Sequence, residues 1–295
     1  MTEPAPSTPM QDLSAALAHA VAGVAPALVA VRSGRAASTG FVWRPGLVVT
    51  AEEALAEEGE VAVTLPGGEA VPARLAGRDP TTDVALLRVN RPDLSPVPLV
   101  AAPVAVGALA LVAGAQDGAP TAALGVVARA GGPWRSLRGG EIDARIELDL
   151  RLRQSAEGGL ALDGAGQAIG MAVLGPRRRV LVIPMATVER VAAKLESHGR
   201  IPRGYLGLGL QPVAVEGGEG RGAMVMSVDP RGPGAAAGVR QGDILVAWDG
   251  APLREVQPLL RALGPDSVGR TVTLGLRRGG ETREVALTIG ERPAG

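Results

Sequence analysis

The chain contains no cysteine, a single lysine (Lys194), two histidines (His19 and His198), and only one Phe, one Tyr and three Trp among 295 residues. Without cysteine there are no disulfides, no thiolate zinc ligands and no thiol nucleophile. With two imidazoles in all, chemistry that needs a base of near-neutral pKa must draw on one of those positions. An excess of one charge is also lacking, since 30 basic and 30 acidic side chains cancel. The arginines are spread thinly, with no basic stripe to neutralise phosphates, so nucleic acid is not an expected partner. Neither a Walker-type loop nor a GxGxxG opening a helix occurs in the right context, and no cofactor is expected.

Long hydrophobic runs are scarce as well. Residues 99–115 (LVAAPVAVGALALVAGA) are uncharged, but Pro103, Gly107 and Gly114 interrupt them. Short buried strands are therefore expected there, and no membrane span. The N-terminus carries Glu3 and Asp12 where an export signal would carry Lys or Arg, which predicts a cytoplasmic protein.

What is present is punctuation. Residues 1–10, rich in Pro, Ser and Thr, predict a disordered start, and the spacing of Leu13, Ala16, Leu17, Ala20 and Val21 predicts a short helix over 11–22. From Leu28 to about Pro184, brief Val, Leu and Ile runs alternate with Gly, Pro, Asn and Asp, the pattern of a sandwich or barrel. Residues 185–198 (MATVERVAAKLESH) form an amphipathic helix with Val188, Val191, Ala192 and Leu195 on one face. Gly199, Pro202 and Gly204 follow and suggest a boundary, so a domain over 11–200 precedes a second over 203–292. The second reads as strands, with a short helix near Val256 to Leu263 and a final hairpin turning at Gly279 and Gly280.

Two sets of residues carry a resemblance that covers nearly the whole chain. LVVTAEEAL (47–55), DPTTDVALLRV (79–89), LGVVARA (124–130), IELDLRLRQSAEGGLALDGAGQAIGM (146–171) and VLVIPMATVERVAAKL (180–195) are similar, in order and spacing, to the segments of the HtrA/Deg serine proteases. RGYLGLGL (203–210) and GAMVMSVDPRGPGAAAGVRQGDILVAWDG (222–250) are similar to that family's PDZ domain. The resemblance implies a mainly β fold, a trypsin-like double β-barrel followed by a PDZ domain. It also implies a triad, but carried over residue by residue only its aspartate, Asp83, is kept. The histidine position, three after Thr50, holds Glu53, and the serine position, before Gly158 and Gly159, holds Glu157. Ser155 and Ala156 stand where the family has Gly and Asn, and Leu160 stands where it usually has Pro.

Acyl transfer by serine needs a hydroxyl whose proton an oriented base can take. A carboxylate at Glu157 is a poor nucleophile toward an amide, and Glu53 has no hydroxyl to activate. Ser155 lies two residues before the elbow, and His19 and His198 fall in helices far from it in sequence. A pseudoprotease is expected. The alternatives are residual peptidase activity, through an acid pair or Ser155, and a hard-cation site made by Glu53, Asp83 and Glu157. Such acids cannot all ionise cheaply together, so either a retained proton or a bound cation is expected. Glu157 is also expected to lay its carboxylate among the N–H groups of the former oxyanion hole. The run Arg177–Arg179 reads as a solvated turn or as a loop that recognises acidic partners.

In the PDZ-like part, the resemblance implies that the N–H groups of Tyr205, Leu206 and Gly207 cradle a peptide C-terminal carboxylate. Leu206 and Leu208, facing Val256, Leu259, Leu260 and Leu263, would line the pocket for its last side chain, or serve simply as core. The expected partners are peptide or protein C-termini and an active protease relative, in protein quality control as an adaptor, holdase or regulator.

Overall fold

The computed structural model describes residues 8–57, 59–97, 104–215, 220–253, 259 and 262–293. The chain divides into two compact units, Met1–Ile201 and Pro202–Gly295. Among the described residues no helix is long and apolar enough to cross a membrane.

The first unit opens with helix α1 (Pro9–Val24). It begins earlier than the expected 11–22 and takes in Pro9 and Met10, which the composition assigned to a disordered start; residues 1–7 lie outside the described residues. The cause is a reciprocal cap, in which Gln11 N–H donates to Thr8 Oγ1 while Thr8 N–H donates to the Gln11 side chain, with Pro9 in the first turn.

Six strands then close a first barrel in the order β1-β2-β3-β6-β5-β4: β1 (Leu28–Ser33), β2 (Ala36–Arg44), β3 (Leu47–Thr50), β4 (Val61–Thr64), β5 (Ala70–Asp79) and β6 (Val84–Val89). Next come β7 (Leu109–Gln116), β8 (Ala119–Gly131), a small hairpin of β9 (Trp134–Arg135) and β10 (Glu141–Ile142), then β11 (Arg145–Asp149), β12 (Leu160–Leu162), β13 (Ala168–Leu174) and β14 (Val180–Pro184). Apart from the hairpin, these strands close a second barrel in the order β11-β14-β13-β12-β7-β8. Of the uncharged stretch, residues 110–115 are buried, on both faces of β7, whereas Val106 and Leu109 are exposed and residues 99–103 lie outside the described residues. Along β7, Ala110 and Val112 enter the core of the second barrel, while Leu111, Ala113 and Ala115 enter the core shared with the first. Helix α2 (Met185–His198) buries Val188, Val191, Ala192 and Leu195, as its spacing predicted, and ends at Gly199 in the left-handed region.

The second unit holds a short pair, β15 (Gly204–Tyr205) with β22 (Gly290–Glu291). Its main antiparallel sheet runs β16 (Leu208–Val215), β17 (Gly220–Val228), β18 (Ile244–Trp248), β20 (Thr271–Arg278), β21 (Glu281–Thr288), with β19 (Ala251–Pro252) paired to β18. One turn of helix, α3 (Pro233–Ala236), follows β17. The β20–β21 hairpin turns at Gly279 and Gly280, both with positive φ, as that dipeptide predicted.

This small unit is clamped by one ion pair. Asp243 is fully buried; its carboxylate accepts from Arg278 Nε and Nη2 at 2.7 Å and from Arg240 N–H at 2.7 Å. The Arg278 guanidinium, before its burial counts against it, holds the Asp243 carboxyl below the usual range. Removing one partner of a buried pair leaves the other stranded, so Asp243→Ala is expected to cost about 3 kcal/mol. Since the folded-state pKa is depressed, this stabilisation is complete above the ordinary value of 3.8 and is lost as pH falls through the folded pKa. Hydrogen exchange in β18 and β20 measures both: protection should drop in the variant and, in the wild type, only on acidification.

Candidate functional site

The cleft of the first unit is built around a turn that the second barrel pushes against the first. A 3-10 turn over Gln154–Ala156 leads to Glu157, Gly158 and β12. Thr39 of β2 binds this turn: its N–H donates to the Glu157 carbonyl at 2.8 Å, and its Oγ1 donates to the Ser155 carbonyl at 2.7 Å. Gly158 sits at φ +83, so close to β2 that a Cβ would meet the Thr39 carbonyl oxygen at 2.2 Å. Glycine is therefore required, and the side chain before it is delivered to the cleft.

Asp83 is delivered by a different device. Asp79, buried, accepts from Thr81 N–H (3.0 Å), Thr81 Oγ1 (2.6 Å) and Thr82 Oγ1 (2.7 Å), which winds DPTTD into a tight turn. Asp83 leaves that turn at φ +58. Its Oδ1 accepts the Glu53 N–H at 2.8 Å and its carbonyl the Glu52 N–H at 3.3 Å. Burial pushes the Asp83 carboxyl up to about 8, and the nearby Glu53 and Glu157 carboxylates add to this against the Glu53 N–H bond. That shift favours the protonated form of Asp83 at neutral pH.

The other two carboxylates find partners within the protein. Glu53 is half exposed and pairs with Arg138 at 3.1 Å. Arg138 comes from the β9–β10 hairpin and also donates to the Pro80 carbonyl at 3.2 Å. Glu157 is buried, and its Oε1 accepts the Leu174 N–H at 3.1 Å; burial raises its pKa. Its carboxylate thus caps β13 just where pairing with β12 has ended, since that pairing stops at Met171. This differs from the expected placement among the N–H groups of residues 155–157. Of those groups, Ala156 N–H donates to Arg153 (2.9 Å) and Glu157 N–H to Gln154 (3.1 Å), and the two that follow are bonded as well, Gly158 to Ala172 (2.8 Å) and Gly159 to Ala156 (3.1 Å).

The structure thus brings Glu53, Asp83 and Glu157 close enough for their charges to act on one another, with Glu53 and Asp83 lining a cleft and Glu157 buried behind it, but not as a cation cage. Among the described residues no group of three or more His, Cys, Asp or Glu side chains is arranged to hold a metal ion. Ser155 is turned elsewhere and lines a separate cavity of about 20 Å³ with Ser38 and Asp117. His19 is exposed on α1, and His198 ends α2 with Nδ1 2.6 Å from Ser197 Oγ. Beside Asp83 opens a cleft of about 560 Å³ whose walls include Trp134, Ile142, Leu174, Pro176 and Leu181, with Arg135, Arg138 and Arg145 among them. The hairpin carrying Arg138 and Trp134 escaped the sequence reading, because neither its two-residue strands nor its partner Glu53 leaves a local pattern.

In the second unit, Tyr205 lies in the β15–β22 pair and its hydroxyl donates to Asp229 at 3.0 Å. The carbonyls of Leu206 and Gly207 accept from Gly234 (2.7 Å) and Asp229 (2.8 Å), whereas among the described residues the N–H groups of Leu206 and Gly207 have no acceptor. Gly207 is at φ +70. Leu206 and Leu259 are buried in the core, and Leu208 and Leu263 are half-buried against it. Val256 and Leu260 lie outside the described residues, as does most of the expected helix, of which residues 259 and 262 are helical. β16, next along the chain, is an edge of the sheet.

Comparison with known proteins matches residues 38–171 to the trypsin-like peptidase domain and residues 204–289 to the PDZ domain. A probable periplasmic serine endoprotease, DegP-like, of Bartonella henselae is 30% identical over 269 residues, covering 86% of this chain and 52% of that protein. One of the same name from Chlamydia trachomatis is 30% identical over 270 residues, covering 86% and 54%. The chain spans about half the length of these curated relatives. Among solved structures, the serine endoprotease from Yersinia pestis superposes with a TM-score of 0.71 at 25% identity over 98% of this chain and 100% of that one. The HtrA-type protease AlgW with decapeptide gives 0.72 at 21% identity, over 94% and 99%. Relatives named periplasmic overturn the cytoplasmic placement drawn from the N-terminal charges.

The Asp83 proton has a measurable consequence. The folded chain holds it up to about pH 8, whereas the unfolded chain releases it near 3.8, so this group makes stability fall as pH rises between those values. Asp83→Asn keeps the acceptor for the Glu53 N–H and removes that slope. Thermal unfolding across the window should show the variant gaining on the wild type as pH rises, and parallel curves would mean that Asp83 is ionised in the fold. With two barrels meeting at this carboxylate, a PDZ sheet after them, and DegP-like relatives matched across both, the chain belongs to the HtrA/Deg family.

Proposed function

We propose that this chain is a catalytically inactive HtrA-type protein that binds peptide or protein C-termini through its PDZ domain, working in the periplasm as an adaptor, holdase or regulator of an active relative. The observation that carries the inactive reading is the state of residues 156–159. The N–H of Glu157, at the nucleophile position, is spent on the Gln154 carbonyl, and those of Ala156, Gly158 and Gly159 on other internal carbonyls, whereas stabilising a tetrahedral oxyanion takes N–H donors aimed at open space. The side chains agree with this. At the two positions where a hydroxyl and an imidazole would act stand Glu157, bound to the Leu174 N–H, and Glu53, paired with Arg138. Neither offers an oriented base beside an alcohol.

The binding reading rests on the loop before β16. Leu206 and Gly207 hold their carbonyls in internal bonds, and among the described residues their N–H groups have no backbone acceptor, beside an edge strand that can accept an extended peptide.

Two measurements test this. A labelled unfolded protein incubated with the chain, with its Glu157→Ala variant, and with or without EDTA is expected to remain intact in every case. Cleavage by the wild type that disappears in the variant or in EDTA would sink the inactive reading. Separately, fluorescence anisotropy with a short apolar peptide should show binding through its free C-terminus that weakens about tenfold or more when the terminus is amidated, since charge-assisted bonds to the carboxylate are lost. Equal affinity for acid and amide would rule out the carboxylate cradle.

A further inference from the structure

The open edge of the second unit's sheet offers its backbone unevenly. Among the described residues β16 pairs on one side alone, with β17, and places Leu210 opposite Val225, Gln211 opposite Met224 and Pro212 opposite Ala223. Val225 fixes which way each of these residues turns. Its N–H donates to the Asp243 carbonyl at 2.8 Å and its carbonyl accepts the Gly242 N–H at 2.9 Å, so both groups point away from β16. Residues directly opposite in an antiparallel ladder turn their backbone groups toward each other or away together, in alternation along the strand. Leu210 therefore faces the open edge, Gln211 faces β17, and Pro212 faces the edge again; Leu208 and Ala214 face outward by the same alternation. Of these outward positions Pro212 alone has no N–H, and its ring fills the place from which a donor would reach a partner. Leu208 and Leu210 pack partly on the core, whereas Gln211 and Pro212 are exposed. The proline removes no bond from the β16–β17 ladder, because an outward N–H has no partner there. Its effect falls on whatever is added to the edge.

We propose that Pro212 is a specificity-determining residue that ends the ladder a bound peptide can form, so that the groove reads about the last four residues of a C-terminus and takes neither a longer strand nor the edge of another sheet. This rests on the reading that the N–H groups of Leu206 and Gly207 hold a terminal carboxylate. A strand whose carboxylate lies there and which runs antiparallel to β16 puts its last residue beside Leu208, the residue two before it beside Leu210, and the residue four before it beside Pro212. The first two meet a donor and an acceptor on β16. The third turns its carbonyl toward a proline ring and loses that bond.

The test is competition anisotropy with the full chain and two unlabelled apolar peptides with free C-termini, one of four residues and the other the same sequence lengthened to seven by alanines at its N-terminus. The wild type is expected to bind both within about twofold. Pro212→Ala restores the donor at the edge without touching Leu206 or Gly207. It is expected to leave the shorter peptide unchanged and to tighten the longer one about threefold or more, the worth of one further backbone hydrogen bond. A longer peptide that already binds the wild type about threefold or more tighter than the shorter one, or a variant that does not tell the two apart, would overturn the inference and leave the carboxylate reading standing. A shorter peptide that fails to bind, or binds equally well as its amide, would sink that reading and this inference with it. The comparison of lengths on the wild type holds even where the variant fails to fold.

Discussion

The grip of Thr39 on the 154–159 turn is the contact on which the first unit's cleft depends. One residue of β2 donates its N–H to the Glu157 carbonyl and its hydroxyl to the Ser155 carbonyl, and Gly158 presses its backbone onto the Thr39 oxygen. The bonds join the two barrels and fix the side chain before Gly158 in the cleft. The same turn closes on itself as a 3-10 segment, which uses up the N–H of Glu157. The framework is thus rigid where a protease needs rigidity, while its donors face inward.

Around that framework the ionisable groups are arranged so that each carboxylate has an internal solution. Asp83 keeps its proton, Glu157 accepts a strand N–H, and Glu53 takes Arg138 from the hairpin. Like charges in a partly dehydrated cleft are costly, and protonation, a backbone donor and a counter-ion are three separate ways of lowering that cost. At Glu147 the balance tips the other way, toward arginine, with Arg129, Arg145 and Arg179 around one carboxylate.

Much of the architecture was legible in the sequence. The apolar stripe of residues 185–198 specified α2, the Gly279–Gly280 pair specified the last hairpin, and the order of motifs gave two barrels followed by a PDZ domain. Helix α1 was longer than its apolar pattern, because its start is set by the Thr8–Gln11 cap. The placement of the protein in the cell was misread from Glu3 and Asp12, and only the relatives corrected it. Of the cleft, the convergence of Glu53, Asp83 and Glu157 could be carried over from aligned motifs, whereas the destination of each carboxylate could not.

The sequence by itself determined the strand periodicities, the turns and the identity of the three acids, since these depend on residues close together in the chain. Tertiary structure alone decided that Glu157 turns to Leu174, that Arg138 reaches Glu53, and that three arginines gather on Glu147. Such partners are chosen by which strands lie side by side once the barrels close, and by how much water the closure removes from each charge.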